Sequence, residues 1–167
     1  EIVPGDVGDI VHLALVLLSF LAGALFTDIL LPDVSLRLGR RYSFALFCES
    51  AFLLTSMLLL NHGIAQGDYW ASAACGLQNA MVTTYSGAIL RTTHVTGTFT
   101  DLGISLGHML RGIPVDHRRI TLYLLLISGF ISGGVVGAYT YLQVGYSAFG
   151  IPVVLTATLS VSYWGYR

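Results

Sequence analysis

Five long apolar segments constrain the fold of this chain more than any other feature of its sequence. A transmembrane helix needs about 20 consecutive, mostly apolar residues. Five segments approach that length, at residues 10–31, 42–60, 69–90, 120–142 and 149–166. With 54% apolar and only 10% charged residues, the composition is typical of a protein that folds in lipid rather than in water. We therefore predict a single all-α integral membrane domain, residues 1–167, with about five transmembrane helices.

The basic residues predict how these helices are oriented. All eight are arginines, and they are Arg37, Arg40, Arg41, Arg91, Arg111, Arg118, Arg119 and Arg167. If five helices span and residues 91–119 stay on one side, every arginine lies on the same face of the membrane, as the positive-inside rule requires. This topology places the arginine-bearing loops on the cytoplasmic-equivalent side of a bacterial inner membrane or an organelle membrane.

A polar stretch, "HVTGTFTDLG" at residues 94–103, lies between the third and fourth apolar segments. Its helical part, at most residues 99–110, is about 18 Å long and cannot cross a hydrocarbon core of about 30 Å. Thr98, with Asp101 three residues later, has the pattern of a helix N-cap, and Gly97 can adopt the preceding turn. The sequence therefore predicts a half-helix at about residues 98–110.

The half-helix has two possible placements. Asp101, Ser105 and His108 share one face at helical spacing, and apolar residues occupy another. Such a helix can lie along the membrane interface. It can also be re-entrant, because irregular backbone survives at membrane depth where protein or a water-filled cavity surrounds it. We favour the re-entrant placement because the helix that precedes it carries polar residues at depth.

Polar side chains inside the predicted spans mark a candidate cavity. Gln78 and Asn79 lie near the middle of the third segment, and Glu49 lies about 10 Å into the second. Amides at this depth form interhelical hydrogen bonds or line a cavity, and a lone carboxyl pairs, protonates or faces water. The predicted cavity or ligand-binding residues are Gln78, Asn79, Thr96, Gly97, Thr98, Asp101 and Glu49.

Small residues recur at four-residue steps on three of the predicted helices. They are Ser19 and Gly23 on the first, Ser72, Gly76 and Ala80 on the third, and Gly129, Gly133 and Gly137 on the fourth. Such stripes allow helix backbones to approach closely, so we predict these positions as packing residues. The first and fourth helices run in opposite directions in the five-span topology, which is the arrangement expected for the remnant of an inverted repeat.

Two motifs resemble a known family. "GLQNA" at residues 76–80 and "TTHVTGTFTDLG" at residues 92–103 are similar to the second-half signature of the YoaK family, multipass bacterial membrane proteins that carry a domain of unknown function. The resemblance implies a related first-half signature, a glycine and Asp-Ala on one helix followed by a Thr-Gly-Asn stretch. The sequence from Glu1 onward does not contain that first-half signature, so we expect that the chain has lost it or that it lies outside the given sequence.

These features predict a small-solute permease or a channel-like protein with a polar cavity. The alternative is a non-catalytic structural or accessory subunit of a larger membrane protein complex. We expect no enzyme activity and no catalytic residues, because GxSG, GxGD and HExxH motifs are absent. We expect no cofactor and no metal, since His94 and His108 offer only two ligands. The expected partners are the lipid bilayer, a small polar solute, and a second copy or other membrane subunits, whereas the lack of a basic run excludes nucleic acid.

Overall fold

The computed structural model describes residues 7–31, 40–85 and 94–165. The helices are α1 (Val7–Leu30), α2 (Arg40–Asn61), α3 (Gly67–Tyr85), α4 (Val95–Leu110), α5 (His117–Val144) and α6 (Gly150–Trp164), and a 3-10 helix (Gly145–Phe149) joins α5 to α6. These ranges contain no strand, so the all-α prediction is confirmed. The predicted segments match α1, α2, α3, α5 and α6 in order, and the half-helix matches α4.

Three helical stretches are long and apolar enough to cross a membrane. They are α1, α2 and the 48-residue stretch His117–Trp164, which contains α5 and α6. Separate crossings by α3 and α6 stay predictions, and so does the five-span count. Residues 86–90 of the third predicted segment lie outside the described residues, as do residue 166 and three of the arginines, Arg37, Arg91 and Arg167.

The chain divides into two compact units, each of which is described by itself. The first unit contains residues 1–90 and 144–167, and we call it the bundle because it holds α1, α2, α3 and α6. The second contains residues 91–143, and we call it the α4–α5 unit.

Helix α2 is the centre of the bundle. It packs against α3 on one side and against α6 on the other, while α1 packs against α3. The buried core consists of Leu31, Ala45, Leu46, Leu77 and Met81. Because the core side chains come from α2, α3 and the end of α1, this part of the bundle is held by lateral packing between helices.

Hydrogen bonds between α1 and α3 define their relative direction. Ser72 Oγ donates to the Val16 carbonyl oxygen at 2.7 Å. Further along both helices, Thr27 Oγ1 donates to the Leu77 carbonyl oxygen at 3.0 Å. Because the contacts advance along the two helices together, α1 and α3 are parallel.

Helix α2 runs in the opposite direction to α3. Leu46, in the first half of α2, shares the buried core with Met81 near the end of α3. Phe52 lies further along α2, and its ring centroid is 5.3 Å from that of Trp70 in the first turn of α3. The alternation predicted for the first three helices is therefore present.

A polar cluster ties the second turn of α1 to the first turn of α3. His12 Nε2 lies 3.2 Å from Asp68 Oδ2, and His12 Nδ1 lies 3.0 Å from the Tyr69 hydroxyl. All three side chains are partly exposed near the ends of their helices. They belong to the end of the bundle opposite Arg40 and Arg41, which begin α2.

Candidate functional site

The α1–α3 interface brings two backbones into direct contact. A Cβ atom added at Gly23 would overlap the Ala73 carbonyl oxygen, and one added at Gly76 would overlap the Phe20 carbonyl oxygen. Gly23, a predicted packing residue, therefore lies where only a hydrogen fits. Ser19 instead donates its hydroxyl to the Leu15 carbonyl within α1, at 2.8 Å.

The α2–α6 interface is held by serines that the sequence analysis did not single out. Ser43 Oγ donates to the Ser160 carbonyl oxygen, and Ser160 Oγ donates back to the Ser43 carbonyl oxygen at 2.8 Å. Two turns further along α2, Ser50 Oγ donates to the Val153 carbonyl oxygen at 3.0 Å, so the two helices are antiparallel. The signal in the sequence is the seven-residue spacing of Ser43 and Ser50, which places both hydroxyls on one face of a helix.

Two polar atoms on α2 are buried without a partner. Glu49 is 2% exposed and Ser56 is 0% exposed. Among the residues that the structure describes, neither Glu49 Oε2 nor Ser56 Oγ has a hydrogen-bond partner. Since the two residues are seven positions apart, they share a face of α2 about 10 Å apart along its axis.

The two predicted amides of α3 differ in their surroundings. Asn79 is half-buried, and its backbone carbonyl oxygen accepts the Thr83 hydroxyl at 2.7 Å. Gln78 is exposed on the surface of the chain. The expectation that polar side chains at this depth turn into the bundle is therefore wrong for Gln78, because the inward positions of α3 are taken by Ala74, Leu77 and Met81.

Helix α4 begins earlier than predicted. His94 is its N-cap residue without a side-chain cap bond, and Val95 is already helical. The predicted cap at Thr98 is wrong, because Thr98 is inside the first turn and its backbone N–H and its hydroxyl both donate to the His94 carbonyl oxygen at 3.1 Å. Gly97 forms no turn before the helix; instead it lies under the His94 ring, which a Cβ atom there would overlap.

The remaining predicted site residues of α4 lie in its first two turns. Thr96 and Asp101 are exposed, Gly97 is half-buried and Thr98 is 9% exposed. Helix α4 has 16 residues. It is therefore about 24 Å long, which still falls short of a hydrocarbon core of about 30 Å. These residues belong to the α4–α5 unit, whereas the other predicted site residues, on α2 and α3, belong to the bundle.

The polar face predicted for the half-helix lines a pocket in the α4–α5 unit. The pocket has a volume of about 290 Å³. Its polar lining residues are Asp101, Ser105 and His108 from α4, and Asp116, Arg119 and Tyr123 from the start of α5. The three α4 residues that the helical spacing placed on one face therefore line the same pocket.

A glycine turn between α4 and α5 shapes this pocket. Gly112 has φ of +70°, its N–H donates to the Met109 carbonyl at 3.1 Å, and the Ile113 N–H donates to the His108 carbonyl at 3.0 Å. This pattern is a Schellman motif, which ends a helix and satisfies its last carbonyl groups. Asp116 is the N-cap of α5, because its Oδ1 accepts the backbone N–H of Arg118 at 3.0 Å.

The glycine stripe of α5 differs from the prediction. Apart from the adjoining residues and backbone of α5 itself, no described atom lies within 4 Å of a Cβ atom added at Gly129, Gly133 or Gly137. Along the whole of α5 only Tyr123 and Ile127 are buried. The stripe therefore has no partner within the described part of the chain, in contrast to the backbone contact made by the glycine of α1.

Apolar spans, a glycine contact and hydroxyl-to-backbone hydrogen bonds between helices define an α-helical integral membrane protein with several spans. The chain belongs to the family described as "Protein of unknown function (DUF1275)", whose model matches residues 1–162. No curated protein and no solved structure matches the chain. The match confirms that the chain belongs to a family defined by a domain of unknown function, as the sequence resemblance implied. The first-half and second-half signature motifs of the family stay predictions.

Proposed function

We propose that this membrane protein is a small-solute permease or a channel-like protein. The observation that carries the proposal is the pair of buried, unpartnered polar atoms on α2, Glu49 Oε2 and Ser56 Oγ, among the described residues. A polar group without a partner in an apolar environment costs about 1–3 kcal/mol by mutational measurements. An ionisable residue inside a membrane span is for the same reason a functional candidate.

The packing of the bundle does not account for these two atoms. Ser43 and Ser50 on the same helix are bonded to the backbone of α6, so they contribute to packing. Glu49 Oε2 and Ser56 Oγ make no such bond within the described ranges. A polar solute or water that passes along α2 would supply the missing partners.

The experiment measures solute flux and stability in the same variants. The protein is reconstituted into liposomes, and entry of urea and glycerol is followed by stopped-flow light scattering. We expect flux above that of protein-free liposomes and a fall of at least fivefold in Glu49→Leu. We also expect Glu49→Leu to be at least as stable as the parent, since an apolar side chain replaces an unpaired carboxyl.

The matched control is Ser19→Ala, which removes a hydroxyl that bonds only within α1. Its flux should equal that of the parent. A parent flux no greater than that of protein-free liposomes would refute the permease, and so would a Glu49→Leu flux equal to that of the control.

An accessory subunit of a larger membrane complex is the second candidate. The exposed glycine stripe of α5 favours it, because small residues in membrane helices are enriched at helix–helix interfaces. Mass measurement after purification in a mild detergent separates the two functions. A stoichiometric complex with other subunits, lost in Gly133→Leu, supports the subunit, and a protein found alone or as a homo-oligomer supports the permease.

A further inference from the structure

The pocket of the α4–α5 unit contains polar side chains that have no partner in the described part of the chain. Asp116 is engaged twice, as the cap of α5 and through Arg119, whose Nε lies 3.6 Å from Asp116 Oδ2. The side chains of Asp101, His108 and Tyr123 make no hydrogen bond to any described residue, although all three line the pocket.

Tyr123 is the most informative of these residues. It is only 9% exposed, and it still lines the pocket. The ring is buried, but the hydroxyl oxygen is accessible and has no hydrogen-bond partner among the described residues. Because the protein holds the ring and leaves the hydroxyl unbonded, this side chain is placed to hydrogen-bond a ligand.

The charges of the pocket select a cation. Asp101 and Asp116 contribute two negative charges and Arg119 contributes one positive charge, so one carboxylate remains without a counter-charge. That carboxylate is Asp101, because Arg119 is already paired with Asp116. No group of three or more His, Cys, Asp or Glu side chains that can hold a metal ion occurs among the described residues, which favours an organic cation over a metal ion.

The unpartnered groups match the donors of a primary ammonium. Such a group has three N–H donors and no acceptor. Acceptors on the wall of the pocket are an Asp101 carboxylate oxygen, an imidazole nitrogen of His108 and the Tyr123 hydroxyl oxygen, and each can accept an N–H of an ammonium group that lies beside it. The pocket volume of about 290 Å³ lies at the small end of the range for ligand sites.

We propose that this pocket binds a ligand with a protonated primary amine, with Asp101 as its counter-ion. The amine comes either from a free small molecule or from the headgroup of a lipid such as phosphatidylethanolamine. If the bound amine is the transported solute, this inference rests on the proposed function. Binding of the amine is nevertheless measured in an experiment that does not require transport.

The test uses the full chain in phosphatidylcholine nanodiscs and radiolabelled ethanolamine as the probe. We expect saturable binding, at least tenfold weaker in Asp101→Asn and in Tyr123→Phe and unchanged in the matched control Asp9→Asn, which changes an exposed carboxylate of α1. Choline, whose quaternary nitrogen has no N–H, should compete at least tenfold more weakly than unlabelled ethanolamine.

A second arm identifies the source of the amine. Nanodiscs with added phosphatidylethanolamine abolish ethanolamine binding if the site takes a lipid headgroup, and leave it intact if the site takes a free amine. Absence of saturable binding, equal binding in Asp101→Asn, or equal competition by choline would overturn the proposal. Flux that is lost in Glu49→Leu while ethanolamine still binds normally would separate the permease from this site.

Discussion

The contact between α1 and α3 makes Gly23→Ala the sharpest test of the bundle. Alanine is ordinarily a better helix former than glycine, by about 1 kcal/mol. Here the added methyl group would overlap the Ala73 carbonyl oxygen and would lie 2.8 Å from its carbon atom. Two carbon atoms pack best at about 3.5–4.0 Å, so the helices must separate by about 1 Å. The obstacle is a backbone atom, which cannot rotate away.

The cost of this separation follows from two terms. Inserting a methyl group into a well-packed interface costs about 1–3 kcal/mol. Thr27 lies one turn after Gly23, and its buried hydrogen bond to the Leu77 carbonyl is 3.0 Å long. A separation of about 1 Å would break this bond, and hydrogen bonds between membrane helices contribute about 0.6 kcal/mol on average. Together these terms cost about 2–4 kcal/mol, and the better helix propensity of alanine offsets about 1 kcal/mol of that, so we expect Gly23→Ala to lower the free energy of unfolding by about 1–3 kcal/mol.

The assay is equilibrium unfolding in mixed micelles with increasing sodium dodecyl sulfate, followed by circular dichroism. The matched control is Gly133→Ala, which adds the same methyl group to a helix where no described atom lies within 4 Å of it. The control should leave the free energy of unfolding unchanged or raise it by up to about 1 kcal/mol, since only the better helix propensity of alanine acts there. Equal effects of the two substitutions would show that Gly23 is not in backbone contact with α3.

Three further predictions concern the serine pair, the pocket turn and the topology. Replacing Ser43 or Ser160 by alanine should lower the free energy of unfolding by about 0.6 kcal/mol each, and the losses should be nearly additive in the double variant, because each hydroxyl donates to a backbone carbonyl that alanine retains; unchanged stability in both single variants would contradict the pair. Gly112→Val should destabilise the protein by about 1–2 kcal/mol, since a left-handed backbone conformation disfavours a β-branched residue. The same variant should weaken ethanolamine binding, because Gly112 has φ of +70° in the turn beside the pocket; unchanged unfolding and binding would count against the turn. Cysteines introduced at Arg40 and Asn61, the two ends of α2, should react with an impermeant thiol reagent from opposite sides of a vesicle, and labelling from one side would exclude α2 as a span.

The helices could be predicted from the sequence because their signal is long and strong. The apolar segments at residues 10–31 and 42–60 match α1 and α2 to within three residues at each end. A bilayer leaves few alternatives to a helix, since every backbone N–H and C=O must be satisfied within the segment. The polar face of α4 was also predictable, because Asp101, Ser105 and His108 follow helical spacing and one surface results from it.

The cap of α4 and the contacts of the glycine stripes could not be predicted, because each sequence pattern is compatible with two structures. Thr98 has the pattern of a cap, but threonine can also bond the carbonyl four residues earlier, and here it bonds His94. A stripe of small residues leads to close approach of two helix backbones only where a second helix packs against the stripe. The stripe with Gly23 meets α3 at backbone distance, whereas the similar stripe with Gly133 meets no described atom.

The same reasoning separates packing from function along α2. This helix has two hydroxyls at seven-residue spacing toward α6, Ser43 and Ser50, and each bonds a backbone carbonyl there. At the same spacing it has a carboxyl and a hydroxyl, those of Glu49 and Ser56. Both residues are buried, and neither Glu49 Oε2 nor Ser56 Oγ has a hydrogen-bond partner among the described residues. Apolar side chains of no greater size, leucine for Glu49 and alanine for Ser56, would leave no polar atom without a partner, so packing alone does not explain why these positions are polar. The first pair therefore belongs to the scaffold, and the second pair is where a solute pathway is to be sought.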